Sequence, residues 1–305
     1  MPGMIKIANL QPGRYVLAVS GGVDSMVLLD LLRRQPGLEL IVAHLDHGIR
    51  TDSNLDREVV QRVAMSHNLR FESKVLALGS NTNEETARKA RYDFLQEVCK
   101  KYNTSVIITA HHQDDLLETA VINLLRGTGR LGLTSLASTA DINRPLLGIS
   151  KAEIVAYAMK HNIKWQEDST NQDQTYLRNY VRHSVLSKLN PNNRKSLLSI
   201  IVRQSLLNAE INFRLSNLFA ENQLPVEPTT PLPRYQLIMA PAEVAYELLQ
   251  YIIKKNTGQT VEAHLAYKLL HFVKTAKPGK NFMLNNAWQI KTHGTSEVIV
   301  EARAT

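Results

Sequence analysis

The stretch that decides the fold reads VLAVSGGVDSMVLLDLL and runs from Val16 to Leu32. An apolar run of strand-forming residues covers 15–19, and an apolar helical pattern covers 24–34. Between them lies SGGVDS, residues 20–25, here called the phosphate loop. A short apolar strand that passes through glycines into an apolar helix is typical of the first unit of a parallel, two-layered α/β sheet.

The composition of the phosphate loop suits an anionic ligand. Gly21 and Gly22 allow backbone angles closed to other residues and close approach of a ligand to the main chain. The free amides at the start of the following helix attract phosphate, and Ser20 and Ser25 add hydroxyl donors. The loop lacks the GxxxxGK pattern of the common P-loop, and Asp24 stands where a lysine would be expected. An acid there fits a role in holding Mg²⁺, and the alternative is a plain turn in which Asp24 caps the helix.

The bulk composition predicts a soluble globular protein. The chain has 305 residues, which favours about two domains, and a formal net charge of +8. No apolar run approaches the roughly 20 residues that span a bilayer, and the N-terminal residues lack the pattern of a targeting segment, so we expect a cytoplasmic protein. Its one cysteine, Cys99, excludes an internal disulfide, a CxxC redox pair and a cysteine zinc site.

Strand and helix patterns alternate through the first half of the chain. This alternation predicts a doubly wound parallel sheet, in which ligands bind beyond the carboxyl ends of the strands. The predicted strands are 15–19, 39–45, 70–78 and 105–111, and the predicted helices are 24–34, 52–68, 83–102 and 114–125.

The second half has a different pattern. An amphipathic helix over 150–161 precedes a polar loop, and a long helix is predicted over 193–220. Four prolines between Pro225 and Pro233 mark a linker. Two helices, 242–256 and 261–274, and short C-terminal strands then predict a small α+β module.

Seven further motifs narrow the function. In order they are HLDHGIR (44–50), EETARKARYDFL (84–95), AHHQDDLLET (110–119), RGTGRLGL (126–133), RPLL (144–147), WQEDSTN (165–171) and YLRNYVR (176–182). SGGVDS with these motifs resembles the tRNA(Ile)-lysidine synthetases of the PP-loop, or N-type ATP pyrophosphatase, superfamily. The resemblance is dense over about the first 185 residues.

The resemblance implies a two-step reaction. ATP adenylates the C2 oxygen of the wobble cytidine in an isoleucine tRNA with a CAU anticodon, and the side-chain amine of free L-lysine then displaces AMP. ATP and Mg²⁺ are the expected cofactors, and tRNA and lysine the expected partners. A basic stretch, with ten Lys and Arg against four Asp and Glu between Arg144 and Arg203, suits a polyanionic partner.

The resemblance also assigns site residues and domains. The catalytic candidates are Asp24, Arg88, Arg91 and Asp115, of which Asp24 and Asp115 are the Mg²⁺ candidates. The ATP-binding candidates are Ser20, Gly21, Gly22, Val23, Asp24, Ser25, His44, Asp46 and His47. The lysine- or tRNA-binding candidates are His111, His112, Asp114, Glu118, Arg126, Arg144, Asp168, Asn171, Arg178, Asn179 and Arg182. The domains expected are a catalytic PP-loop domain over 1–190, a helical linker over 191–225 and a small domain over 226–305, which contacts either tRNA or a second subunit of a homodimer.

Several alternatives stay open from the residues. Zinc binding by His44, His47, His111 and His112 is disfavoured, because strand-end pairs do not make a converging ligand set. A tRNA thiolation enzyme of the same superfamily would need more cysteines than Cys99. A small-molecule amidating enzyme and a non-catalytic RNA-binding protein with this fold are the remaining rivals. Longer members of the family carry a further C-terminal domain, so the way in which this chain grips the acceptor arm and discriminates its tRNA stays open.

Overall fold

The computed structural model of the chain describes residues 5–46, 53–76, 84–166, 177–221, 231–259 and 261–303. The chain forms two compact units. The first comprises Met1–Ile122 and Ser135–Arg194, and the second comprises Asn123–Thr134 and Lys195–Thr305. The predicted domain boundaries near residues 190 and 225 remain predictions, and the structure adds that a short segment of the first half packs with the second unit.

A five-stranded parallel sheet forms the centre of the first unit. Its order is β3-β2-β1-β4-β5, and every neighbouring pair is parallel, so the predicted doubly wound sheet is confirmed. The strands are β1 (Gly13–Ala18), β2 (Leu38–Asp46), β3 (Arg70–Val75), β4 (Ile107–Ile108) and β5 (Ile142–Asn143).

Helices cover both faces of this sheet, and the predicted helices of this half are confirmed. In chain order they are α1 (Val23–Leu32), α2 (Ser53–Ser66), α3 (Glu84–Lys101), α4 (Gln113–Leu125), α5 (Arg130–Leu133, in the second unit), α6 (Lys151–Lys160) and α7 (Leu177–Tyr180). A π-helical turn, Val181–Val185, and a 3-10 turn, Leu186–Lys188, follow α7.

The nearly continuous apolar strands serve two cores, because successive side chains of a strand point to opposite faces. Leu17, Val42 and Ile108 face a core that contains residues of α1, α2 and α6. The residues immediately before them in sequence face a second core built on α3, which also holds Cys99. Apolar side chains therefore cover both faces of the central strands, and polar groups lie at the strand ends.

The fourth strand is much shorter than predicted. The apolar pattern suggested 105–111, but only Ile107 and Ile108 pair with both neighbours. After Thr109 the chain leaves the sheet and begins α4 at Gln113. The short strand brings the two histidines of AHHQDD into the turn, outside the sheet.

The second unit is a helical layer on an antiparallel sheet of order β6-β9-β8-β7. The predicted helices and terminal strands are confirmed, and β6 and α9 were not predicted. Proline suits β6, which is an edge strand. The elements are α8 (Pro191–Glu221, mostly in this unit), β6 (Leu232–Pro233), α9 (Arg234–Met239), α10 (Ala242–Thr257), α11 (Ala263–Thr275), β7 (Asn281–Met283), β8 (Trp288–His293) and β9 (Glu297–Ala302). In the described part of the chain, no helix combines the length and apolarity needed to cross a bilayer.

Candidate active site

The candidate site lies where the strand order reverses. From β1 the chain moves outward to β2 and β3, and from β4 it moves the other way to β5, so the turns after β1 and β4 diverge from adjacent strands. A crevice at such a point is the usual ligand site of an open α/β sheet. The phosphate loop follows β1 and the AHHQDD motif follows β4, so the two most distinctive motifs meet there. His112 Nε2 lies 3.8 Å from Asp24 Oδ1, which joins the two turns directly.

The phosphate loop has the backbone that its glycines predict. Gly21 has φ +97°, and a Cβ added there would lie 3.3 Å from the Cβ of Asp56. The Ser25 hydroxyl accepts a hydrogen bond from the Ser20 amide at 3.2 Å and donates to the Gly22 carbonyl at 2.9 Å. Among the described residues, an added Cβ at Gly22 would meet only the Ser20 hydroxyl within 4 Å, so these residues leave that side of the loop open to a ligand. The loop is therefore a hydrogen-bonded turn that the described residues leave accessible on one side.

Asp24 does not cap α1, which was the alternative reading of the motif. The N-cap is Gly22, with no side-chain hydrogen bond. The Asp24 carboxylate instead accepts two hydrogen bonds from the Lys151 ammonium, with Nζ 2.7 Å from Oδ1 and 2.8 Å from Oδ2. Lys151 was not singled out from the sequence. It is 127 residues away, and nothing in the local pattern at GISKAE distinguishes it from a surface lysine.

Asp115 and His112 form the second part of the site. Asp115 Oδ2 accepts the His112 backbone amide at 3.0 Å and lies 3.5 Å from His112 Nε2. His112 Nδ1 accepts the Asp114 amide at 3.2 Å, so in the neutral ring the proton is on Nε2, facing the Asp115 and Asp24 carboxylates. Burial alone would raise the pKa of the Asp115 carboxyl, but His112, its amide, His111 and Arg178 together hold that pKa below its ordinary value. Asp115 is therefore ionised at neutral pH.

Asp24 and Asp115 meet the chemical requirement for holding Mg²⁺ beside a nucleotide. Mg²⁺ is usually bound through one or two carboxylates together with substrate phosphates. Both carboxylates approach His112 Nε2 within 4 Å, so they flank the same crevice. Within the described ranges no set of three or more acidic, histidine or cysteine side chains is arranged so that it could hold a metal ion by itself.

Glu118 lies one turn after Asp115 on α4 and is fully buried, at 0% exposure. Its carboxylate holds Arg182 by two hydrogen bonds, Nε to Oε1 at 2.5 Å and Nη2 to Oε2 at 3.0 Å. Arg178 Nε lies 3.5 Å from Oε2, and Arg178 Nη2 donates to Thr119 Oγ1. Arg182 Nη2 also lies 3.9 Å from Asp115 Oδ1. The segment after α7 is thus attached to α4 by ion pairs, and the pKa of Arg182 is raised, chiefly by its bonds to Glu118.

His111 lies near both acidic and basic side chains. Its Nδ1 is 2.8 Å from the Thr109 hydroxyl. Burial lowers the pKa of His111 to about 4; Asp115 opposes this shift, while Arg144, Arg88 and Arg91 reinforce it. His111 is therefore neutral at physiological pH, chiefly because it is buried.

Arg144 is nearly completely buried at the start of the RPLL motif. Its Nη1 donates to the Ala137 carbonyl at 2.7 Å. Burial lowers the pKa of this guanidinium, with Tyr92 partly opposing the shift, although arginine stays protonated in proteins. The Arg88 guanidinium lies over the Tyr92 ring at 5.1 Å. The arginines from α3 and from the segment after β5 therefore share one neighbourhood with His111.

The end of β2 supplies two more candidates. His44 is 2% exposed, and its Nδ1 donates to the Val19 carbonyl at 2.8 Å. Burial lowers the pKa of His44, so the ring is neutral and Nε2 is an acceptor, for which the described residues provide no hydrogen bond. Asp46 is also buried. His47, Asp168 and Asn171 lie outside the described residues.

One candidate residue, Arg126, lies in the second unit, and another, Asp114, is paired with an arginine. Arg126 is an exposed residue of the second unit, whereas Arg130 of the same motif holds Glu247 through two hydrogen bonds, at 2.8 and 2.6 Å. Asp114 pairs with Arg194 at 2.5 Å. Arg130 and Arg194 were missed because their carboxylate partners are distant in sequence.

Comparison with known proteins identifies close relatives. The PP-loop domain family matches residues 4–189. The chain is similar to the tRNA(Ile)-lysidine synthase of Thermotoga maritima, at 43% identity over 196 residues, covering 60% of this chain and 47% of the relative. It is similar to the tRNA(Ile)-lysidine synthase of Francisella tularensis subsp. holarctica, at 30% identity over 295 residues, covering 93% of this chain and 73% of the relative. The chain thus spans about half the length of the first of these relatives.

Among solved structures, the U34-tRNA thiolase NcsA from Methanococcus maripaludis matches with a TM-score of 0.53 and 18% identity. The match covers 62% of this chain and 70% of that one. At this identity the likeness concerns the fold alone, and it agrees with the parallel sheet described above.

Proposed function

We propose that this chain, which belongs to the tRNA(Ile)-lysidine synthase family of PP-loop proteins, converts the wobble cytidine of an isoleucine tRNA to lysidine. The observation that carries the proposal is the junction of the phosphate loop with the AHHQDD turn, where Asp24 and Asp115 flank His112. At this junction the phosphate loop adjoins two carboxylates, and Arg88, Arg91 and Arg144 act electrostatically on the neighbouring His111. An adenylating enzyme needs these three components close together.

In the first step the cytidine C2 oxygen attacks the α-phosphorus of ATP, and pyrophosphate leaves. The phosphate loop would bind the departing pyrophosphate through its amides and hydroxyls. Arg88 and Arg91, which are exposed, and Arg144, which is buried, all act electrostatically on His111 and would stabilise the negative charge that grows on the phosphoryl oxygens. His111, which is neutral, can offer a hydrogen bond without adding charge.

In the second step the ε-amine of lysine attacks C2, and AMP leaves from the same carbon. The ammonium must first lose a proton, to a side chain or to water, before the amine can attack, and a carboxylate near it would hold it in place by charge. Asp115 is ionised and Arg182 lies 3.9 Å from it. The Asp115 carboxylate and the Arg182 guanidinium carry charges opposite to those of the ammonium and carboxylate groups of lysine. Glu118 is fully buried beneath Arg182, so its proposed role is to position that guanidinium rather than to contact lysine directly.

Mg²⁺ bound by Asp24, Asp115 and phosphate oxygens would neutralise part of the charge of the nucleotide. His44 offers a buried acceptor, Nε2, that a donor group of the bound nucleotide would satisfy. Exposed basic residues of the stretch between Arg144 and Arg203, such as Lys160 and Arg203, would supply salt-dependent tRNA affinity.

The test combines the chain, ATP with Mg²⁺, radiolabelled lysine and an isoleucine tRNA transcript with a CAU anticodon. We expect ATP-dependent incorporation of lysine that disappears when the wobble C is replaced by U. The Asp115→Asn variant should lower the rate by about 100-fold or more, as loss of a charge beside the reacting groups does. The matched control is Asp93→Asn, an exposed carboxylate of α3, which should leave the rate unchanged.

Other outcomes identify the rival functions. Pyrophosphate release that depends on tRNA, without lysine incorporation, would keep the adenylation step and replace the nucleophile. Thiolation is disfavoured because this chain has only Cys99, which is buried in the core under α3. RNA binding with no ATP turnover would indicate a non-catalytic RNA-binding protein.

A further inference from the structure

The ion pair between Asp24 and Lys151 lies at the phosphate loop. In the common P-loop a lysine within the loop reaches the terminal phosphates, and this loop carries Asp24 in the corresponding region. The structure brings a lysine to that place from another element, with Nζ within 2.8 Å of both Asp24 oxygens. The Lys151 side chain is 41% exposed and that of Asp24 is 27% exposed, so a ligand can reach the pair.

The position of Lys151 is fixed by the packing of α6 against α1. Tyr157 donates a hydrogen bond to Asp30 at 2.9 Å. Tyr157 and Asp30 each lie six residues beyond Lys151 and Asp24, so the two helices run parallel, and both begin at the same edge of the sheet. Ile154 and Tyr157 are buried in the core beneath α1.

Two more contacts fix the start of α6 and the segment after it. Ser150 and Glu153 form a reciprocal capping box at the N-terminus of α6. The Gln166 amide donates to the Gly21 carbonyl, which attaches the segment after α6 to the phosphate loop. Lys151 is the first residue of α6, so its backbone is held in place without help from Asp24. The backbone of Lys151 is therefore fixed by α6, and its ammonium is held beside the phosphate loop by Asp24.

We propose that Lys151 is the cation of this site that contacts the pyrophosphate end of ATP, supplied by α6 instead of by the phosphate loop. The inference rests on the proposed function in taking ATP as the ligand. A partly exposed ion pair is weak, because water screens it. A polyphosphate carries several negative charges against the single charge of Asp24, so the ammonium moves from carboxylate to phosphate when ATP enters. Asp24 holds the ammonium at the phosphate loop until then, and the exchange leaves its carboxylate free.

A purely structural role for the pair makes a different prediction. If Lys151 only links α6 to α1, its replacement lowers the free energy of unfolding and changes the affinities for ATP and AMP alike. If Lys151 contacts the β- and γ-phosphates, its replacement weakens ATP and pyrophosphate binding but leaves AMP binding unchanged. The ratio of ATP affinity to AMP affinity therefore separates the two roles.

The experiment measures the dissociation constants of ATP, pyrophosphate and AMP by isothermal titration calorimetry, with Mg²⁺ present. The variants are Lys151→Met, Lys151→Gln, which keeps a donor to Asp24 without the charge, and Lys151→Arg. The matched control is Lys160→Met, an exposed lysine at the other end of the same helix. We expect the two neutral variants to weaken ATP and pyrophosphate binding about 10- to 100-fold, the loss typical of one charge-assisted contact, with AMP unchanged. Lys151→Arg should recover most of the affinity.

Each result has a defined consequence. Equal ATP affinity in the unsubstituted protein and in Lys151→Gln overturns the inference and leaves the proposed function standing. A parallel loss of ATP and AMP affinity also overturns it, in favour of the structural role. If the unsubstituted protein binds neither ATP nor pyrophosphate, both the inference and the proposed function are wrong. Selective loss of ATP binding supports the inference even if lysine incorporation is absent, in which case only the proposed reaction fails.

Discussion

Replacing Glu118 with glutamine should destabilise the first unit and slow the proposed reaction. The carboxylate is fully buried and accepts two hydrogen bonds from Arg182, at 2.5 and 3.0 Å. Glutamine keeps one acceptor but turns an amide NH₂ toward a guanidinium N–H, so one charge-assisted hydrogen bond, worth about 1.5–3 kcal/mol, is lost. Removing one partner of a fully buried ion pair costs about 3–5 kcal/mol. Arg182 is 34% exposed, so water can solvate it when the carboxylate is removed. We therefore expect Glu118→Gln to lower the free energy of unfolding by about 2–3 kcal/mol, less than for a fully buried pair.

The assay is urea unfolding followed by tryptophan fluorescence. The chain has two tryptophans, so a Trp288→Phe background leaves Trp165, which packs against the core of the first unit, as the reporter. The control is Glu85→Gln at an exposed position of α3. A double-mutant cycle with Arg182→Gln should return a coupling energy of about 1–3 kcal/mol. A free energy of unfolding for Glu118→Gln within about 0.5 kcal/mol of the parent, the usual range for an inert surface change, would refute this account of the ion pair.

Three other predictions follow from single contacts. The pKa of His111 is about 4 in the folded protein and about 6.5 in the unfolded chain, so the unfolded state takes up the proton first as the pH falls. The free energy of unfolding should therefore drop by about 1.4 kcal/mol per pH unit between those two values. In urea titrations across that range, His111→Gln should flatten this pH dependence, and an unchanged slope would contradict the prediction. Tyr157→Phe removes the hydrogen bond to Asp30 and should cost about 1 kcal/mol in the same assay, whereas no change would show that the bond contributes nothing. Glu247→Gln disrupts the two hydrogen bonds with Arg130 and should lower the free energy of unfolding of the second unit by about 1.5–3 kcal/mol. Trp288 is the reporter, in a Trp165→Phe background. An effect confined to the first unit would contradict this prediction.

Patterns that repeat locally were sufficient to predict the sheet and most helices. The apolar runs at Val16–Val19 and 39–45 identify strands covered on both faces, and glycines followed by a helical pattern identify the phosphate loop. The strand β5 escaped prediction because two residues, Ile142 and Asn143, carry no period. The fourth strand was predicted too long because the apolar pattern continues past the point where hydrogen bonding to its neighbours ends.

The site divides in the same way. The sequence by itself determined which polar residues lie at the two strand-end turns, since parallel strands bring their carboxyl ends to one edge and their motifs with them. Only the tertiary structure decided the partners: Lys151 for Asp24, across 127 residues, and Arg182 for Glu118, across 64. The periodic pattern of a sequence does not reveal ion pairs of this kind, because any exposed lysine or arginine satisfies the local pattern. Which one reaches the site depends on how α6 and the turn after α7 pack against α1 and α4.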